Sequence, residues 1–189
     1  MDEHSGHGLG VSKARLEFLV DGIFAIAMTV LVLELKIPEV EHHRSVRELG
    51  SSLLHHAGTF GSYLLSFMVL GVLWYWHNRR YHYYRRITKS ILVAELLQLS
   101  MAAFFPFCAA LLGQYLFNPL ARSLYVACVA VYRVAGHAEW VGARRAGVMI
   151  PELSDEEYEM HRKRGVRACI LLTALVAINI FNCVANVMG

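Results

Sequence analysis

Long apolar segments alternate with short polar connections along the whole chain. Five of the apolar segments are long enough to cross a bilayer as helices, and they cover residues 16–37, 53–76, 91–117, 120–141 and 166–188. About 20 apolar residues in a helix span the hydrocarbon core of a membrane. The pattern therefore predicts an all-α membrane bundle with five spans in a single domain, residues 1–189.

The first segment differs from a simple anchor because it contains polar residues. Asp21 lies near its start and Thr29 near its middle. Thr29 also belongs to a stripe at helical spacing whose other members are small or apolar, namely Gly22, Ile26, Val30 and Leu33. Periodicity alone allows two interpretations. The stripe packs against a neighbouring helix, or it forms a hydrophobic constriction where several copies meet on an axis.

Composition and charge support a polytopic membrane protein. Hydrophobic residues occupy 56% of the 189 positions and charged residues 17%, below the roughly 25% of an ordinary soluble domain. Most Lys and Arg precede the first segment or fall in the connections 77–90 and 142–165. This distribution predicts a cytoplasmic amino terminus. Because topology explains the net charge of +3, we expect no nucleic-acid partner.

Motifs for catalysis or metal binding are missing from the sequence. It has no GxSxG, HExxH or phosphate-binding glycine loop, so we expect no enzyme. The ten histidines include no pair at i, i+4 spacing, and the four cysteines lie in apolar segments without a CxxC pair. We therefore expect no metal site and no cofactor.

Ionisable residues inside the apolar segments are the better candidates, since each is costly in lipid unless it meets a partner or a water-filled path. Asp21, Glu95 and Arg133 lie inside such segments, and His77 directly follows the second one, at the membrane interface. We expect Glu95 and Arg133 to pair between the third and fourth helices. Asp21 is interpreted as a structural carboxylate that accepts from Arg15 or from a neighbouring helix.

The stretch before the last segment predicts a helix start. SDEEYEMHRKR begins with a candidate N-cap, Ser154, and continues with acidic residues followed by basic ones. We predict a cytoplasmic extension of the fifth helix with a solvated face.

Three parts of the sequence resemble a known family. RLEFLVDGIFAIAMT, which begins at Arg15, resembles the RxxxFSD first-helix signature of the transmembrane protein 175 family, the endosomal/lysosomal potassium channels and their prokaryotic relatives. In the second helix, Trp74 is followed three residues later by His77, and FFPFCAALLGQY is similar to the third-helix segment. The resemblance covers residues 13–145.

This resemblance implies a function and an assembly. The expected protein is a homotetrameric, potassium-preferring cation leak channel in the inner membrane of a prokaryote, with K⁺ as the permeant ion. Its partners would be membrane lipid and further copies of the chain. The first helix would line the pore through Ile26 at the constriction, Thr29 for potassium preference, and Val30 with Leu33.

The resemblance also implies a network of motif residues, Arg15, Asp21, Trp74 and His77. The chain departs from the family pattern in three respects. Leu19-Val20 replaces Phe-Ser, Glu95 stands where relatives often carry Asn, and five spans are visible where the family has six helices.

Two other functions stay open at this point. A proton-coupled transporter of small solutes or ions would use Glu95, Asp21 and His77 as a relay. The sequence shows no pair of broken helices of the transporter type. A membrane assembly factor without transport activity would be monomeric and would carry no ions.

Overall fold

The computed structural model describes residues 12–37 and 45–188. Within these residues it contains no strand and one isolated β-bridge, between Tyr84 and Met149. The helices are α1 (Lys13–Val30), α2 (Val46–His55), α3 (Ala57–His82), α4 (Lys89–Gln114), α5 (Pro119–Arg145) and α6 (Asp155–Met188). A short 3₁₀ helix, Leu31–Glu34, continues α1. The predicted all-α class is confirmed.

Polar caps start four of the long helices. The side-chain oxygens of Ser12, Thr88 and Ser154 each accept a backbone N–H three residues later, at 3.3, 3.3 and 3.1 Å. Asn118 caps α5, and Pro119 fills its first position, where a missing N–H costs nothing. These local signals fix where the helices begin.

Four helical stretches are both long and apolar enough to cross a membrane, and they are Lys13–Glu34, Ala57–His82, Lys89–Gln114 and Asp155–Asn186. The predicted span 120–141 forms α5. This helix is 27 residues long, about 40 Å, but it is more polar than the four stretches above. Part of that polarity faces the interior, where Glu139 is only 2% exposed. Helix α5 packs extensively against both α4 and α6, so neighbouring helices replace much of its contact with lipid.

The predicted start of the second span is wrong. Residues 46–55 form the separate helix α2, and α3 begins only at Ala57. Leu53 and Leu54 belong to α2 and are exposed. At 10 residues, about 15 Å, α2 is too short to cross a bilayer. The described residues thus hold six α-helices, the number that the resemblance implies, but one of them is short.

The two basic connections are joined at one end of the bundle. The backbone N–H of Arg85 donates to the Val148 carbonyl at 2.8 Å, and Ile150 N–H donates to the Tyr83 carbonyl at 2.9 Å. Gly147 ends α5 with a φ of +62°, a left-handed conformation that suits glycine. The α3–α4 and α5–α6 connections therefore form one hydrogen-bonded platform.

The predicted extension of the last helix is confirmed, because α6 begins at Asp155. The expectation that this extension has a solvated face is wrong in part. Tyr158 is 8% exposed and stacks on the Trp140 ring at 5.6 Å between centroids. Glu157 accepts from the Tyr83 hydroxyl at 2.7 Å. The first turns of α6 are thus packed onto the platform.

Candidate functional site

One face of α1 holds the helix in the bundle. Its buried residues recur at helical spacing, and they are Leu16, Val20, Phe24, Ala27 and Leu31. Helices α3 and α4 pack against this face. Val20, which stands where the family motif has serine, is 1% exposed and packs in the apolar core.

The opposite face of α1 carries the predicted pore residues. Ile26 is 63% exposed and Leu33 75% exposed, and Thr29 is exposed between them. Val30 is half-buried at the edge of the stripe. The Thr29 hydroxyl donates to the Ile26 carbonyl at 2.9 Å. Ile26, Thr29 and Leu33 therefore do not pack within this chain, which removes the intrachain version of the packing interpretation.

The motif residues form part of the expected network. The Trp74 indole N–H donates to Asp21 Oδ1 at 2.8 Å and so joins α3 to α1. In the described part of the chain, no side-chain hydrogen bond or ion pair reaches the Arg15 guanidinium. His77 is buried and lies 3.6 Å from Glu95, between its Nδ1 and a carboxylate oxygen. The network is thus split between the surface of α1 and the interior.

The predicted Glu95–Arg133 pair is wrong. Glu95 extends from α4 toward His77 on α3, and its side chain is fully buried there. Arg133 lies on another side of α5, where its guanidinium carbon is 4.4 Å from the centroid of the Trp76 ring. A position within an apolar segment does not say which face of a helix a side chain occupies, so the sequence could not exclude this separation.

A second polar group lies beside His77 and Glu95, and the sequence reasoning missed it. Arg80 donates to Gln98 at 2.6 Å and to Glu139 at 3.0 Å, and Gln98 donates to Glu139 at 2.6 Å. These three bonds join side chains from α3, α4 and α5 in one buried network. The sequence does contain a signal for this group, namely polar residues at helical spacing. Arg80 follows His77 by three residues, and Gln98 follows Glu95 by three, so each pair lies on one helix face.

Next to this group, Tyr84 lies in the α3–α4 connection. Burial, and then the nearby Glu139 carboxylate, raise the pKa of the Tyr84 hydroxyl well above its usual range. The hydroxyl therefore stays neutral at physiological pH. Lys13 Nζ donates to the Tyr84 carbonyl at 3.0 Å, which ties the start of α1 to the same connection.

The described residues contain no cluster of three or more His, Cys, Asp or Glu side chains that could hold a metal ion. Four of the ten histidines, His4, His7, His42 and His43, lie outside the described residues.

Comparison with known proteins identifies the family. The family model of the endosomal/lysosomal potassium channel TMEM175 matches residues 15–106. A protein named as a potassium channel in Chamaesiphon minutus is 34% identical over 146 residues, which cover 75% of this chain and 70% of that protein. The chain belongs to the TMEM175 family. A potassium channel of Streptomyces collinus is 30% identical over 144 residues, covering 71% of this chain and 66% of its own length.

A solved TMEM175 structure has the same fold. The crystal structure of a lysosomal potassium-selective channel TMEM175 homologue from Chamaesiphon minutus gives a TM-score of 0.65 at 29% identity, and the match covers 90% of this chain and 92% of that one. The animal relatives are longer. The mouse endosomal/lysosomal proton channel TMEM175 is 30% identical over 101 residues, only 20% of its length.

Proposed function

We propose that the chain is the subunit of a homotetrameric, potassium-preferring cation channel in the inner membrane of a prokaryote, with four α1 helices around the pore. The observation that carries this proposal is the exposed stripe of Ile26, Thr29 and Leu33, which lies opposite the face that anchors α1. The names of the bacterial relatives support potassium as the ion. The ion passes unchanged, so the protein is not an enzyme and needs no cofactor.

The stripe contains the parts that a hydrophobic gate needs. Four copies of Ile26 and Leu33 around an axis would form two narrow apolar rings that control conduction by dewetting. Thr29 already donates its proton to the Ile26 carbonyl, so its oxygen lone pairs remain available to replace part of the ion's hydration shell. Val30, which is half-buried, would line the pore only at its edge. One hydroxyl ring predicts modest selectivity.

Flux measurements on the full-length protein in liposomes test this proposal. We expect wild-type protein to carry K⁺ faster than Na⁺, and Ile26→Asn to raise K⁺ flux several-fold by wetting the constriction. Ile170→Asn is a matched control, because Ile170 on α6 is also 63% exposed but lies outside the stripe. Absence of K⁺ flux, or equal flux in the two variants, contradicts the proposal. The assembly is tested separately, by the mass of the protein in mild detergent, where four copies are expected.

A second candidate function is proton transport, in which the protein either conducts protons alone or couples their movement to the transport of a solute or another ion. It is favoured by the buried contact between His77 and Glu95 and by the animal relatives named as proton channels. Asp21 does not belong to that path, since its hydrogen bond goes to Trp74 at the surface. This candidate predicts pH-driven uptake that is lost in Glu95→Gln while the assembly stays intact. A Glu95→Gln variant with unchanged proton flux argues against it.

A further inference from the structure

A basic cleft of about 370 Å³ opens between α3, α5 and α6, next to the platform of basic connections. Its lining includes four arginines and two histidines and no Asp or Glu, and these basic residues are Arg79, Arg80, Arg133, Arg164, His137 and His161. The cleft is separate from the exposed face of α1. Its composition predicts a ligand of negative charge.

Arg133 gives the strongest indication. It lies inside α5, it is only half-exposed, and within the described residues no carboxylate comes within ion-pair distance of it. Its guanidinium lies 4.4 Å from the centroid of the Trp76 ring, a contact that orients the planar group but does not neutralise it. A guanidinium held between packed helices loses part of its hydration, and an anion would compensate for that loss. An anion that pairs with Arg133 would therefore come from outside the described side chains of this chain.

The other arginines divide into two kinds. Arg80 is already paired with Glu139 at 3.0 Å and contributes little net charge. Arg79 and Arg164 are exposed at the margin of the cleft. Glu157 is engaged by the Tyr83 hydroxyl and does not line the cleft. The positive charge of Arg79, Arg133 and Arg164 is therefore not compensated within the cleft.

Two glycines leave room for basic side chains that line the cleft. A Cβ on Gly165 would lie 2.6 Å from Nδ1 of His137, and a Cβ on Gly136 would lie 2.6 Å from Nη1 of Arg80. Both glycines line the cleft. A larger residue at either position would displace a basic side chain of the cleft from its present place.

We propose that this cleft binds a phosphate group, supplied by the headgroup of an anionic phospholipid or by free phosphate. Arginine is suited to this ligand because its planar fork donates two hydrogen bonds to neighbouring phosphate oxygens. Basic pockets between membrane helices near the cytoplasmic surface bind anionic headgroups in this way. Arg133 would contact the phosphate from within the bundle, and Arg79 and Arg164 from the margin. The site does not depend on ion conduction.

Native mass spectrometry of the purified full-length protein tests the proposal. Dioctanoyl phosphatidylglycerol and dioctanoyl phosphatidylcholine are titrated separately, and inorganic phosphate is added as a competitor. We expect tighter binding of phosphatidylglycerol, and a loss of about fivefold in its affinity for each of Arg133→Gln and Arg164→Gln. Arg167→Gln is the matched control, since Arg167 is exposed on the same helix but does not line the cleft. Ala168→Phe keeps every charge and fills the cleft, so it should also weaken binding.

The outcomes distinguish the source of the phosphate. If millimolar inorganic phosphate binds alone with the same dependence on Arg133 and Arg164, free phosphate is the ligand. If only phosphatidylglycerol shows that dependence, the ligand is a lipid headgroup. The proposal is overturned if the two lipids bind equally and phosphate binding does not depend on the arginines. It is also overturned if Arg164→Gln and Arg167→Gln lose the same amount of phosphatidylglycerol affinity. Arg164→Gln keeps the test valid if Arg133→Gln does not fold, because its exposed side chain supports no packing.

Discussion

Two regions of the molecule differ in the contacts that they make within the chain. One is the polar group between α3, α4 and α5, and the other is the outer face of α1. Arg80, Gln98 and Glu139 bond to one another within a single chain. Ile26 and Leu33 are more than half exposed, and their own subunit leaves them uncovered. The first region is a folded interior, whereas the second is a surface that only lipid or further copies of the chain could cover.

This difference separates two kinds of evidence. Substitutions in the polar group report on the stability of the subunit. Substitutions on the outer face of α1 report on what covers it, whether that is lipid or three further copies. Unfolding experiments can therefore distinguish the two regions independently of ion flux.

The largest effect is expected when one member of the buried ion pair is removed. Arg80→Met leaves the Glu139 carboxylate, whose side chain is 0% exposed, without its cation. Removing one partner of a buried pair costs about 3–5 kcal/mol. Chemical denaturation in detergent should show this loss, and Arg80→Met combined with Glu139→Leu should recover most of it. A double variant no more stable than the single one contradicts this account.

A smaller effect is expected from steric crowding of the same group. A methyl group on Gly136 would lie 2.6 Å from Arg80 Nη1 and 2.7 Å from Gln98 Oε1. Gly136→Ala should therefore destabilise the subunit by about 1–3 kcal/mol.

Gly22 on the outer face of α1 is the matched control, because nothing lies within 4 Å of its Cβ position. Gly22→Ala should be neutral or stabilise by about 0.5–1 kcal/mol, as expected for alanine in a helix. Equal destabilisation by the two substitutions would remove the contrast between the regions.

The link between α1 and α3 should contribute less than either change in the interior. Trp74→Phe keeps an aromatic ring but removes the 2.8 Å bond to Asp21. A net loss of about 0.5–1.5 kcal/mol is expected from one hydrogen bond. The same denaturation assay measures it. Asp21→Asn retains an acceptor and should lose less, whereas an equal loss would indicate that charge rather than bonding matters.

The smallest effect on the subunit is expected on the stripe itself. Ile26→Ser should change the stability of dissociated subunits by less than about 0.5 kcal/mol, because the side chain is already 63% exposed. In the intact assembly the same substitution should have a larger effect, since neighbouring copies would cover it. Identical effects in both states would argue that α1 faces lipid.

Sequence reasoning predicted the periodic features well and the pairings poorly. The exposed stripe from Ile26 to Leu33 follows from helical spacing once the opposite face is known to be buried. The Glu95 partner did not follow, because depth along a helix does not fix its rotation. Helix α2 was missed because its apolar residues, such as Leu53, run directly into the next span. The family motif correctly indicated Trp74, whose link to α1 no periodicity would suggest.

Helix α6 packs along α5, but its buried side chain, Tyr158, lies near its amino-terminal end. Its 34 residues measure about 51 Å, which exceeds a hydrocarbon core of about 30 Å by several turns. The contacts of Tyr158 and Glu157 hold those surplus turns against the platform. None of the residues in its apolar window is buried within the subunit. A bilayer of different thickness would therefore act first on the apolar part of α6, and its effect would reach the platform through the packed amino-terminal turns.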